Sequence, residues 1–313
     1  MFGHFFDQGD QSQALQSAIS RAVDGVEPLI KFTRGYQQNY RTPVETALEY
    51  ARSLADSVPG PVAIDRAAYA ANPFVHALFP SADSVAEAFS SSRAMLEYHD
   101  KFPDSEVMYA LMGMRRLEKN TPGMELAGDV IQRDVMQKTI YFTGHTLASP
   151  APTEAQSREM IALSFFDSLI GKVKLRIEAR KQSMQSQLQQ KNQLTTRLRA
   201  ADEKSRPALQ AELSCMLANM RSCVFSTDRY LEDFEAVLLH PEQHLKLRKT
   251  PIAMDSMGIR RSSDDPDQRT IMFDELVDFD RRDWTVTMVY CDKIKAESFS
   301  ERLTNAYRSL AKP

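Results

Sequence analysis

The sequence predicts a mainly helical protein of the α+β class, with a helical N-terminal part, a long antiparallel helix pair and a small antiparallel sheet from segments on either side of that pair. Three observations carry this. The composition favours helix, with 42% hydrophobic and 26% charged residues and only 11 glycines. Residues 153–206 contain no proline and keep a helical apolar spacing, with Gly171 as the one weak point. Residues 124–148 carry strand-favouring residues, and runs in the tail alternate with a period of two, as strands do.

Taken in order, residues 10–40 place Leu15, Ile19, Val23, Val26, Leu29, Ile30 and Phe32 close to helical spacing, with Gly25 and Pro28 as a kink or break. Thr42-Pro43 is a helix-start signal for a segment ending near Ser57, before Pro59-Gly60-Pro61. A loop-rich passage precedes a helix over 81–101. The run Val107, Met108, Leu111, Met112 and Met114 then reads as a methionine-rich helix ending near Pro122-Gly123. Residues 124–148 change period, and Gln132-Arg133-Asp134 reads as the turn of a β-hairpin.

After the proline-rich stop at 149–152, Thr153 and Gln156 form a capping-box pattern, in which side chains satisfy the backbone N–H groups of a helix start. The polar stretch 201–207 suits a reversal, so the apolar residues Leu209, Leu213, Met216, Met220, Val224, Leu231, Phe234 and Val237 should return against the outgoing helix. Candidate strands follow at 245–247, 270–273 and 284–290, and a closing amphipathic helix at 295–310. The expected organisation is a helical region over 1–123, a hairpin segment over 124–150, the helix pair over 153–239 and a small α+β region over 240–313 that shares one domain with the hairpin strands.

Charge narrows the function classes. The net charge of −3 makes the whole chain no polyanion binder. Between Asp167 and Arg206, however, ten Lys/Arg face four acids. Read alone, this basic face, with Lys172, Arg176, Arg180 and Lys181 at its centre, suits nucleic acid or anionic lipid. The helix pair offers a plainer use, because reversal near 204–205 sets position 176 opposite about 233 and position 181 opposite about 228, where Asp228, Glu232, Asp233 and Glu235 lie. Internal pairing is the favoured reading.

The stretch Gln182 to Gln193 is polar where the returning segment is apolar, so Met216, Met220, Val224 and Phe225 are the expected partner surface, covered by other parts of the chain or by a second copy. The acidic tail (Asp264, Asp265, Asp267, Asp274, Glu275, Asp278, Asp280, Asp283) lacks the order of a calcium loop and reads as a solvated edge, with a metal site as the alternative. His240 and His244 stand four apart, yet Pro241 follows the first and the zinc-protease glutamate is displaced by one place.

Cys215 and Cys223 lie about 12 Å apart on a helix, too far to bridge, and Cys291 is distant in sequence. A reducing, cytoplasmic setting is expected. No stretch approaches the roughly 20 apolar residues of a membrane span. The N-terminus has no signal-peptide pattern, and its Phe2, Phe5 and Phe6 read as core-packed or frayed rather than membrane-dipping. P-loop, GxGxxG, GxSxG, kinase and zinc-finger motifs are missing, so no cofactor is expected. The leading expectation is a non-enzymatic interaction or scaffold protein that self-associates or holds a protein partner. A nucleic-acid binder using the basic face comes second, and a metal-dependent hydrolase using the acidic tail third.

Overall fold

A computed structural model describes residues 7–90, 92–127, 130–221, 227–255, 257–260, 269–278 and 283–292. In chain order the elements are α1 (Asp7–Val26), a 3-10 turn (Pro28–Phe32), α2 (Tyr36–Asn39), α3 (Arg41–Asp56), β1 (Val62–Ala63), α4 (Arg66–Ala71), α5 (Pro73–Leu78), α6 (Ala82–Ser90) and α7 (Arg93–Lys101). There follow β2 (Val107–Ala127), β3 (Val130–Ala151), α8 (Glu154–Ala200), α9 (Arg206–Arg221), α10 (Thr227–Leu238), β4 (Leu245–Met254), β5 (Arg269–Asp278) and β6 (Trp284–Asp292). The chain divides into two compact units, one of residues 1–51 and 163–245, the other of residues 52–162 and 246–313.

The first unit is helical. On α1, Leu15, Ala18, Ile19, Ala22 and Val23 are buried, the one-sided stripe of an amphipathic helix. Gly25 lets α8 come close, since a Cβ there would meet Ile170 at 3.2 Å. Arg21 Nε donates to Asp167 at 2.6 Å across the same contact. Tyr40 stands edge-on to Phe234 at 4.8 Å between ring centroids, and Tyr50 donates its hydroxyl to the Leu245 carbonyl at 2.6 Å.

The second unit is built on a six-stranded sheet in the order β3-β2-β6-β5-β4, with the short β1 parallel to β6. Its core gathers Ile64, Leu78, Phe79, Met95 and Tyr98 from the connecting segments onto Met108, Met112, Met114, Ile140, Phe142 and Phe273 of the sheet. Asp65 caps α4 by accepting from Ala68 N at 2.6 Å. Asn72 caps α5, which opens on Pro73. Arg158 closes the end of α3: its Nη1 donates to the carbonyls of Ala55 at 2.7 Å and Val58 at 3.2 Å.

Two expectations are corrected. The long antiparallel helix pair over 153–239 does not form. α8 is a single helix of 47 residues, whereas among the described residues the expected return carries α9 of 16 and α10 of 12. The cause is in the side chains. Over 182–193 the outgoing helix leaves Gln182, Gln185, Leu188, Gln189 and Gln190 exposed, so little apolar stripe exists to hold a long partner.

The small sheet is also corrected. β2 and β3 have 21 and 22 residues, and β2 absorbs the expected methionine-rich helix. Met108, Ala110, Met112 and Met114 are buried at a spacing of two. Leu111 is buried on the opposite face, which hides that period in the sequence. Gln132-Arg133-Asp134 is no turn but part of β3. Asp134, at φ 61°, is the extra residue of a β-bulge opposite Gly123 and Met124. The candidate strands at 245–247, 270–273 and 284–290 lie in β4, β5 and β6, and Gln156 N donates to Thr153 Oγ1 at 3.3 Å as the capping pattern requires. The acidic loop at 264–267 and the closing helix at 295–310 lie outside the described residues.

Candidate functional site

β2 pairs with β6 only over residues 107–114, while its pairing with β3 continues to Ala127. Among the described residues, 115–127 pair with β3 alone and form with it a two-stranded ribbon. Among the described residues, the β3 edge of the ribbon is met by residues 258–260, where Ile140 N donates to the Gly258 carbonyl at 2.8 Å, Arg260 N donates to the Lys138 carbonyl at 2.8 Å and Thr139 bridges Ile259. The ribbon is anchored at its base by Glu275. That buried carboxylate accepts from Arg116 at 2.9 Å, from Arg248 at 2.7 Å and from Thr250 Oγ1 at 2.8 Å.

Along one face of the ribbon the environment changes in three steps. Phe142 and Ile140 belong to the core. Two residues further on, the ion pair of Glu118 with Lys138 at 2.6 Å forms a polar belt beside Asn120. The Lys138 ammonium holds the Glu118 carboxyl below the usual carboxylate range, first through this hydrogen bond. Beyond the belt, apolar residues return without cover: Met124 is 63% exposed and Met136 64%, with Pro122 directly opposite Met136. On the other face Leu117 pairs with Tyr141, and both are exposed.

Pro122 has no N–H, which makes the β2 edge of the ribbon a poorer template for another strand. Sequence reasoning missed this surface because residues 107–123 looked helical.

The sequence-predicted residues are distributed otherwise. In the basic face, Arg176 Nε donates to Asp233 Oδ1 at 2.8 Å, and Arg180 bonds the same oxygen and the Arg229 carbonyl. Asp233 is wholly buried, so two guanidinium groups offset its desolvation. Lys181 turns elsewhere, to Glu27 at 2.6 Å, and this hydrogen bond lowers the Glu27 pKa and raises that of Lys181. Lys172 is buried.

Of the expected partner surface, Met216 is half-buried and lines a groove of about 670 Å³ between α8 and α9, with Gln187, Gln190, Leu194, Arg197 and Cys215. The Met220 side chain, Val224, Phe225 and Cys223 lie outside the described residues. Asp274 is buried on β5, and burial raises its pKa. Asp283 is held by Arg248 at 2.6 Å. His240 is exposed and His244 half-buried around the 3-10 turn Pro241–Gln243. Among the described residues no three His, Cys, Asp or Glu side chains gather as metal ligands, and no helix is long and apolar enough to cross a membrane. No known protein family, curated protein or solved structure matches the chain.

Proposed function

We propose that the protein is a non-enzymatic interaction scaffold that self-associates, with the β2–β3 ribbon beyond the sheet as the contact surface. The supporting observation is the return of exposed methionines past the Glu118–Lys138 belt. A two-stranded ribbon is marginally stable alone in water, and apolar side chains of this size gain most when a partner covers them. Methionine suits a contact that must adapt its shape. Residues 115–143 hold five Lys/Arg and four Asp/Glu, a balance that favours a protein surface over a polyanion. Three cations of the basic face, Arg176, Arg180 and Lys181, pair with carboxylates within the chain, which weakens the nucleic-acid reading. A reducing, cytoplasmic setting fits the exposed free thiol of Cys215.

Light scattering across a concentration series tests this reading. The native chain should associate as concentration rises, and Met124→Glu with Met136→Glu should remain monomeric with an unchanged circular-dichroism spectrum. A native chain that stays monomeric throughout, or a double variant that associates equally well, removes the proposal.

A further inference from the structure

The 3-10 turn Pro28–Phe32 of the helical unit separates two neighbours sharply. Ile30 is buried, whereas Leu29 is 65% exposed and Phe32 87%. From helical spacing all three read as core. In a 3-10 turn, side chains three apart lie over one another, so Leu29 and Phe32 form one apolar knob with Ile30 rooted beneath it. The turn is firmly held. Ile30 N donates to the Glu27 carbonyl at 3.1 Å and Thr33 N to the Ile30 carbonyl at 2.9 Å. Lys31 Nζ donates to Ser20 Oγ at 3.0 Å and to Asp24 at 2.7 Å, and Glu27 is fixed by Lys181. The knob projects by construction rather than by fraying.

One cation outside these ion pairs stands beside it. Lys31 pairs with Asp24, Arg41 with Glu45 and Glu27 with Lys181. Arg34 has no ion-pair partner among the described residues, and the half-buried Tyr36 follows it.

We propose that Leu29 and Phe32 dip into the interfacial layer of a membrane carrying anionic lipid, with Arg34 at the headgroups. Apolar side chains gain by leaving water at the headgroup–acyl boundary, and Lys/Arg beside them gain from the negative surface potential. A convex knob needs no matching pocket on a bilayer, whereas a protein partner would have to supply an apolar hollow rimmed with carboxylates. One such knob gives weak, reversible and salt-sensitive attachment, comparable in kind to a single lipid anchor.

The experiment is cosedimentation of the full chain, at low salt, with vesicles of phosphatidylcholine alone and of phosphatidylcholine with phosphatidylserine in equal parts. Retention is expected on the mixed vesicles and should fall with added salt. Phe32→Ser, at a position that hardly contributes to packing, should weaken it on the order of tenfold, and Arg34→Gln roughly fivefold. No retention on the mixed vesicles, or equal retention of Phe32→Ser, overturns the proposal. So does a photoreactive side chain at position 32 that, offered vesicles and a cell extract together, labels protein and no lipid. Either failure leaves ribbon-mediated self-association standing, because Phe32 has no part in it.

Discussion

Met108, Met112 and Met114 of β2 are buried to 3% exposure or less, while Met124 on the same strand and Met136 opposite it stand mostly in water. The two regions share one ribbon, one pairing partner and one residue type. They differ in a third strand: β6 lies beside residues 107–114 and ends there. Where three strands and the packed helices cooperate, methionine is core. Where, among the described residues, two strands run on together, the same side chain is exposed. Burial is thus decided by neighbours from the far end of the sequence, as β6 begins at Trp284. The ribbon marks the point where the fold stops consuming apolar residues and starts presenting them.

Substitutions that attack each half should separate them, and the rooted half has the most to lose. Phe142→Ala, which removes a ring packed at 5.0 Å on Phe273, should cost about 3–5 kcal/mol in urea unfolding. Glu275→Ala strips Arg116 and Arg248 of their buried carboxylate at the ribbon base. It should cost about 3 kcal/mol, read as a lowered urea midpoint. Gly258→Ala tests the mid-ribbon bridge, since Gly258 has φ +75° and a Cβ there would come within 2.6 Å of the Ile140 carbonyl. About 1–3 kcal/mol should be lost, with faster amide exchange at Ile140.

His145 offers a pH handle on the rooted half. Its ring stacks on Phe79 at 4.6 Å and its Nε2 lies 2.9 Å from the Leu78 carbonyl. Burial lowers its pKa from the ordinary 6.5. The folded state therefore favours the neutral ring. Its stabilising effect is whole above pH 6.5 and declines as pH falls through and below that value. Thermal melts of His145→Phe should lack this component of the acid sensitivity. The smallest effect belongs to the free half: Met136→Thr should shift stability by less than about 0.5 kcal/mol while weakening association.

Local signals in the sequence were strong enough to place much of the chain. The apolar stripe of α1, the Thr153 cap and the alternation of β6 each depend on near neighbours. The facing of Arg176 and Asp233 also came from counting, although the long helix pair that motivated the count does not exist. The misses share a physical cause. Residues 107–114 are apolar on both faces because β2 is central there, which erases the period that distinguishes strand from helix. Asp134 carries turn chemistry because a bulge and a turn both need a left-handed residue. The exposure of Phe32 was not legible, because spacing says which residues share a face, not whether anything covers it.

Amide hydrogen exchange over residues 115–127 of the native chain, followed through a dilution series, tests the central claim most directly. Exchange there should be fast when dilute and become protected as concentration rises, while residues 107–114 stay protected throughout. Exchange over 115–127 that is independent of concentration, whether fast or slow, would contradict the account.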